Sequence, residues 1–134
     1  MVLESPSSTI AIRNHLRLSK PGSYYFGAGG GLGFGLAAAV GVQLAQRERP
    51  VVCVLGEGSA QYAILKWFSS LEAVGGAPGL DLPALDVPAV AEGYGVRSRR
   101  VESGSELRSA LRDAIGSGAP EVVEVRVAPG MSLG

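Results

Sequence analysis

The sequence predicts an α/β fold: three layers, α/β/α, on a mostly parallel sheet. Val51-Val52-Cys53-Val54-Leu55 is an unbroken apolar run that stops at Gly56-Glu57-Gly58-Ser59, as expected for a strand buried on both faces. The glycine-rich loop Gly27 to Gly33 stands directly before an uncharged helical stretch, Phe34 to Gln46. Further strand patterns at Tyr24 to Phe26, Val96 to Val101 and Val122 to Val127 alternate with helical ones, and that alternation belongs to parallel sheets. The 134 residues are expected to form one domain with its own core.

Within that domain residues 1–20 are a lead-in helix, 21–127 the α/β core and 128–134 a frayed tail. Ser5-Pro6-Ser7-Ser8 can cap a short helix carrying Ile10, Ile12 and Leu16, which Pro21-Gly22 ends. Ala63 to Val74 repeats apolar residues at Ile64, Trp67, Phe68 and Leu71, one helix face. Asp86 caps Val87 to Glu92, which Gly93 ends. Arg97, Arg99 and Arg100 read as a solvated face. Ser103-Gly104-Ser105-Glu106 is a capping box, opening a helix whose apolar face is Leu107, Ala110, Leu111, Ala114 and Ile115. Gly116 is its expected C-cap.

Composition narrows the partners. Twelve basic and twelve acidic residues cancel, which argues against nucleic acid and against an anionic membrane surface. Twenty glycines exceed the usual share of about 7% and cluster, which points to close backbone approach. A single cysteine, Cys53, suits a reducing, cytoplasmic setting. Met1 to Thr9 lacks the basic start of a secretory signal. Although Tyr24 to Gln46 is uncharged, only Leu36 to Ala45 is richly apolar, too short to span a bilayer. His15, flanked by Arg13 and Arg17, reads as a solvated side chain.

The turn after Val51 to Leu55 puts a carboxylate, a hydroxyl and free backbone N–H groups at the carboxyl edge of a sheet, where open α/β proteins bind ligands. Gly33-Phe34-Gly35-Leu36-Ala37-Ala38 meets the loose pattern G-x-G-x-x-A, with Glu57 as the acid some twenty residues on. Gly33, Gly35 and Glu57 would carry a Rossmann-like nucleotide module. A non-catalytic assembly domain that dimerises through the glycine-rich helix is a further alternative.

Seven collinear segments point more sharply. Pro21-Gly22-Ser23-Tyr24-Tyr25-Phe26, Gly30 to Phe34, Gly41 to Ala45, Gly56-Glu57-Gly58-Ser59-Ala60, Leu65-Lys66-Trp67-Phe68, Pro78-Gly79-Leu80-Asp81 and Gly93-Tyr94-Gly95-Val96 together resemble the C-terminal, diphosphate-binding domain of thiamine diphosphate enzymes, nearest to the benzoylformate decarboxylases. The resemblance implies that Gly30 and Gly31 present backbone to the aminopyrimidine, that Leu32 props the bent cofactor, and that Ser7 and Ser8 lie near it, with Pro6 replacing another family hydroxyl. It also implies that Gly56, Gly58 and Ser59 adjoin the diphosphate, that Glu57 is the Mg2+ ligand, and that Trp67 and Phe68 border the substrate pocket. No catalytic residue is assigned, because the glutamate that activates the cofactor in the family comes from a separate pyrimidine-binding domain across a subunit interface. The implied partners are that domain or a second copy in a homo-oligomer, and the implied reaction is decarboxylation of a 2-oxo acid.

Two departures qualify this. The family turn is Gly-Asp-Gly; Glu57 adds a methylene, which strains an octahedral site with ligands at about 2.0 to 2.1 Å. After Ile64 the chain runs straight into Leu65, where the family has about one further βα unit carrying the Asn-Asn pair of the metal site. The expectation is a domain that binds the cofactor weakly and decarboxylates nothing alone.

Overall fold

A computed structural model of the chain describes residues 1–6, 8–56, 69, 71–73 and 86–127. They divide between two compact units, Met1–Leu82 with Pro129–Gly134, and Pro83–Ala128. The first contains β1 (Val2–Glu4), α1 (Thr9–His15), β2 (Tyr25–Phe26), α2 (Gly35–Ala45) and β3 (Cys53–Leu55). The second contains α3 (Val87–Gly93), β4 (Arg97–Val101), α4 (Gly104–Ser117) and β5 (Glu121–Val125). Every strand pairing among the described residues is parallel, in the orders β2-β1-β3 and β4-β5. The α/β class with parallel sheets is therefore as the alternation predicts.

The centre of the first sheet corrects the sequence reading, which places no strand before Tyr24. Val2 pairs with Tyr25 on one side and Cys53 on the other, and Leu3 with Phe26 and Val54. Both side chains are buried, Val2 completely. Three residues followed by Ser-Pro-Ser-Ser are too few to show a period, so only pairing with distant strands identifies β1. The expected strand Val51 to Leu55 starts at Cys53, because Val51 N–H donates to Gln43 Oε1 at 3.2 Å.

Helix ends shift in similar ways. Ser8 is the N-cap of α1, but its side chain makes no capping bond; Thr9 Oγ1 instead donates to Ser5 O at 2.6 Å. α1 stops at His15, so Leu16 is its C-cap, and the exposed His15 ring bonds back to its own helix, Nδ1 to Ala11 O at 2.8 Å. α2 is apolar all round. It packs against β1 and β3 with Gly35 and Ala39 buried, while Leu36, Val40 and Leu44 are exposed on a single stripe. The expected helix Ala63 to Val74 lies mostly outside the described residues. Leu71, assigned by its spacing to the apolar face, is exposed.

In the second unit Asp86 caps α3 by accepting from Ala89 N at 3.2 Å, as expected. The arginines of β4 stay partly solvated, as the sequence reading has them, and each is also ion-paired. The parallel register sets Arg97 opposite Glu121 and Arg100 opposite Glu124. Glu121, whose side chain is 2% exposed, takes Arg97 Nη2 at 2.9 Å and Arg99 Nε at 2.6 Å, and Arg100 Nε bonds Glu124 Oε2 at 2.5 Å. Strand order, which local sequence does not reveal, supplies these partners. Ser103 Oγ accepts from Glu106 N, but Glu106 Oε2 accepts from Glu102 N instead of closing the box on Ser103. α4 continues past Gly116 to Ser117, and Gly118 ends it at φ +66, a left-handed conformation that glycine adopts without strain. Ala110 is buried with Val101 of β4, whereas Ile115 is exposed.

Candidate functional site

Parallel strands bring their carboxyl ends to one edge. In the order β2-β1-β3 the chain leaving β1 turns towards β2, and the carboxyl ends of β1 and β3 lie side by side at the edge where open α/β sheets take ligands. Gly56 lies there. Its N–H donates to Glu4 O at 2.7 Å, and a Cβ on it would stand 2.9 Å from both Ser5 Cα and Ser5 Oγ. Ser5 is itself buried, and its carbonyl accepts from Ser8 N at 3.2 Å, so the turn into α1 is fixed against Gly56.

The glycine loop leaves β2 at the same edge. Gly30 and Gly33 have φ +68 and +96, and there is open space where side chains at Gly29, Gly30 and Gly31 would stand. Leu32 is 50% exposed. The loop thus offers bare backbone beside one uncovered apolar side chain, a surface suited to a flat ring.

Glu4 holds this loop, and sequence reasoning missed it. Its Oε1 accepts from Gly33 N at 2.8 Å and its Oε2 from Gly35 N at 2.6 Å. A Cβ on Gly35 would meet Leu55 Cδ2 at 2.8 Å and Glu4 Cβ at 2.9 Å, so Gly35 packs tightly against both strands. These N–H groups, Gly33's foremost, hold the Glu4 carboxyl below its ordinary 4.5 against the opposing effect of burial. A depressed folded-state pKa contributes stability that is complete above the unfolded value and is lost as the pH falls through the folded one. The melting temperature of wild type should therefore fall more steeply below pH 4.5 than that of Glu4→Gln; parallel pH profiles would contradict this. The available signal was an acid closing the short apolar run Val2-Leu3, ahead of a polar stretch.

Of the expected site residues, the structure places Ser8, Gly30, Gly31, Leu32 and Gly56 at this carboxyl edge. Ser7, Glu57, Gly58, Ser59, Trp67 and Phe68 lie outside the described residues. Gly33 and Gly35 give their N–H groups to Glu4, so a Rossmann-type pyrophosphate would meet a carboxylate where it needs donors. The open backbone at Gly30 and Gly31 fits the ring end of thiamine diphosphate, whereas the space beside Gly56 is filled by Ser5 of the same chain. Among the described residues no three His, Cys, Asp or Glu side chains gather to hold a metal ion.

The family model described as "Thiamine pyrophosphate enzyme, C-terminal TPP binding domain" matches residues 6–73 and 66–125. The chain belongs to this family. Benzoylformate decarboxylase of Pseudomonas aeruginosa is 40% identical over 149 residues, which take in 92% of this chain and 28% of the relative. Among solved structures, the thiamine diphosphate-dependent 4-hydroxybenzoylformate decarboxylase of Rhodococcus jostii superposes with TM-score 0.84 at 37% identity, over 98% of this chain and 29% of that one. Benzoylformate decarboxylase of Polynucleobacter necessarius gives TM-score 0.82 at 31% identity, over 98% and 30%.

This thiamine pyrophosphate-binding domain thus spans somewhat more than a quarter of the length of the relatives it matches. Because 92% of its 134 residues align with 149 of the Pseudomonas enzyme, about 26 positions of that relative have no counterpart here, close to one βα unit. The two stretches matched by the family model overlap at 66–73, beside the Ile64–Leu65 junction where the sequence predicts the deletion. Among the described residues no helix is long and apolar enough to cross a membrane.

Proposed function

We propose that the chain is the cofactor-binding part of a benzoylformate decarboxylase-like 2-oxo acid decarboxylase, inactive by itself. The observation carrying this is the gathering of Ser8, Gly30 to Leu32 and Gly56 at one carboxyl edge of β2-β1-β3. In this reading Gly30 and Gly31 lay their backbone against the aminopyrimidine, Leu32 supports the bend, and Ser7 and Ser8 supply hydroxyls. Gly56, Gly58 and Ser59 adjoin the diphosphate, Glu57 faces Mg2+, and Trp67 and Phe68 border the substrate. Bound, the cofactor supplies carbanion stabilisation. This chain's residues bind and orient it, and the group that activates it comes from a pyrimidine-binding domain or another subunit. The setting is cytoplasmic.

Calorimetric titration of the chain with thiamine diphosphate, NAD and inorganic diphosphate, each with Mg2+ and with EDTA, tests the reading. Weak binding of thiamine diphosphate, tighter than of NAD, is expected, with no carbon dioxide released from benzoylformate. Glu57→Gln should bind diphosphate more tightly than wild type in EDTA, because a carboxylate without metal repels it. Stabilisation near the ~2.7 kcal/mol produced by a ligand at about 100 times its Kd, abolished by EDTA, would restore a working metal site. Tighter binding of NAD would overturn the reading. A second reading, assembly through a copy of the same chain, is favoured by the exposed Leu36, Val40 and Leu44 stripe. It predicts a dimer by sedimentation that binds none of the three ligands.

A further inference from the structure

The start of a helix attracts anions, because its first N–H groups lack partners and the helix dipole is positive there. At the start of α2 the loop donor Gly33 N, just before the N-cap Phe34, and the first helical donor Gly35 N already meet the two carboxylate oxygens of Glu4 at 2.8 and 2.6 Å. Glu4 reaches them from β1, about thirty residues earlier in the chain, and its main chain is tied into the sheet through pairing with Leu55. The contact is also built sterically. Gly35 leaves no space for a Cβ against Glu4 and Leu55, and Gly33 holds φ +96, a conformation that glycine adopts without strain.

We propose that Glu4 is a specificity-determining residue, an anion supplied by the chain itself, which makes the Gly30 to Phe34 loop reject phosphate and accept an uncharged or cationic ring. A phosphate approaching the start of α2 from this loop finds the Gly33 and Gly35 donors occupied and a negative charge beside them. A ring laid on Gly30 and Gly31 finds bare peptide planes and the exposed Leu32 side chain. A ligand with a ring at one end and phosphates at the other can then bind in only one direction, ring to this loop. In assigning that ring to thiamine, the inference rests on the cofactor reading above; the exclusion of phosphate does not.

The test follows the Gly33 and Gly35 amide resonances of the 15N-labelled full chain, in EDTA, for wild type, Glu4→Gln and Glu4→Ala. Inorganic diphosphate is expected to leave both resonances in place in wild type and to shift both, saturably, in the variants. Glu4→Gln, nearly isosteric, serves if Glu4→Ala does not fold, and lowering the pH of wild type should shift the same two resonances as Glu4 is neutralised. Movement of Gly33 and Gly35 by diphosphate in wild type, or variants that ignore it, would overturn the proposal. Thiamine without phosphates separates the two ideas. Shifts at Gly30 to Leu32 support both, whereas exclusion of diphosphate with no response to thiamine leaves Glu4 its role and removes the cofactor reading.

Discussion

Gly56→Ala is expected to destabilise the chain by about 2 kcal/mol, within the range for forcing a methyl into a filled site. The added Cβ would stand 2.9 Å from Ser5 Cα, and that atom is backbone, which no rotamer change moves. Ser5 cannot retreat easily, since its carbonyl holds Thr9 Oγ1 and Ser8 N, so the strain passes into the turn that opens α1. Gly29→Ala is the control. It has open space around it and no positive φ, and should change stability by less than about 0.5 kcal/mol. Urea unfolding followed through the single tryptophan, Trp67, measures both. Equal midpoints would mean that the Gly56–Ser5 contact between the ends of β1 and β3 yields to an added methyl.

Leu3→Ala should cost more, about 3 kcal/mol, by lost burial and the cavity left behind. Leu3 is 3% exposed and sits between Phe26 and Val54 in the central strand, so strands on both sides lose contact when it is truncated. Leu36→Ala, on the exposed stripe of α2, removes the same atoms at almost no cost in the isolated chain. A pair of urea midpoints in the reverse order would put the core elsewhere than around β1.

Much of the fold was legible where the signal is local. The apolar run ending at Gly56 gives β3, the glycine loop followed by apolar residues gives α2, and Asp86 and Ser103 mark the starts of α3 and α4. What escaped depends on partners far away in the chain. β1 has three residues and no period, and becomes a central strand only through Tyr25 and Cys53. The partners of the β4 arginines come into view only when β5 lies alongside them. At the site the glycines were legible by their clustering and by family resemblance, whereas Glu4 was not. Its role exists only because the fold carries β1 to the start of α2, and nothing in Val-Leu-Glu announces a partner some thirty residues on.

The position of β1 also bears on how the chain is made. Val2 needs Tyr25 on one side and Cys53 on the other, so the first sheet closes over about fifty residues of intervening chain. At ribosomal rates of about 5–20 residues per second, β1 waits on the order of several seconds for β3 to follow it. During that interval its edge towards β3 has open N–H and C=O groups, and an open strand edge invites pairing with another chain. Slowing elongation between Phe26 and Cys53 would lengthen that exposure, so yield of soluble protein should respond to codon choice in this stretch although the encoded residues are unchanged.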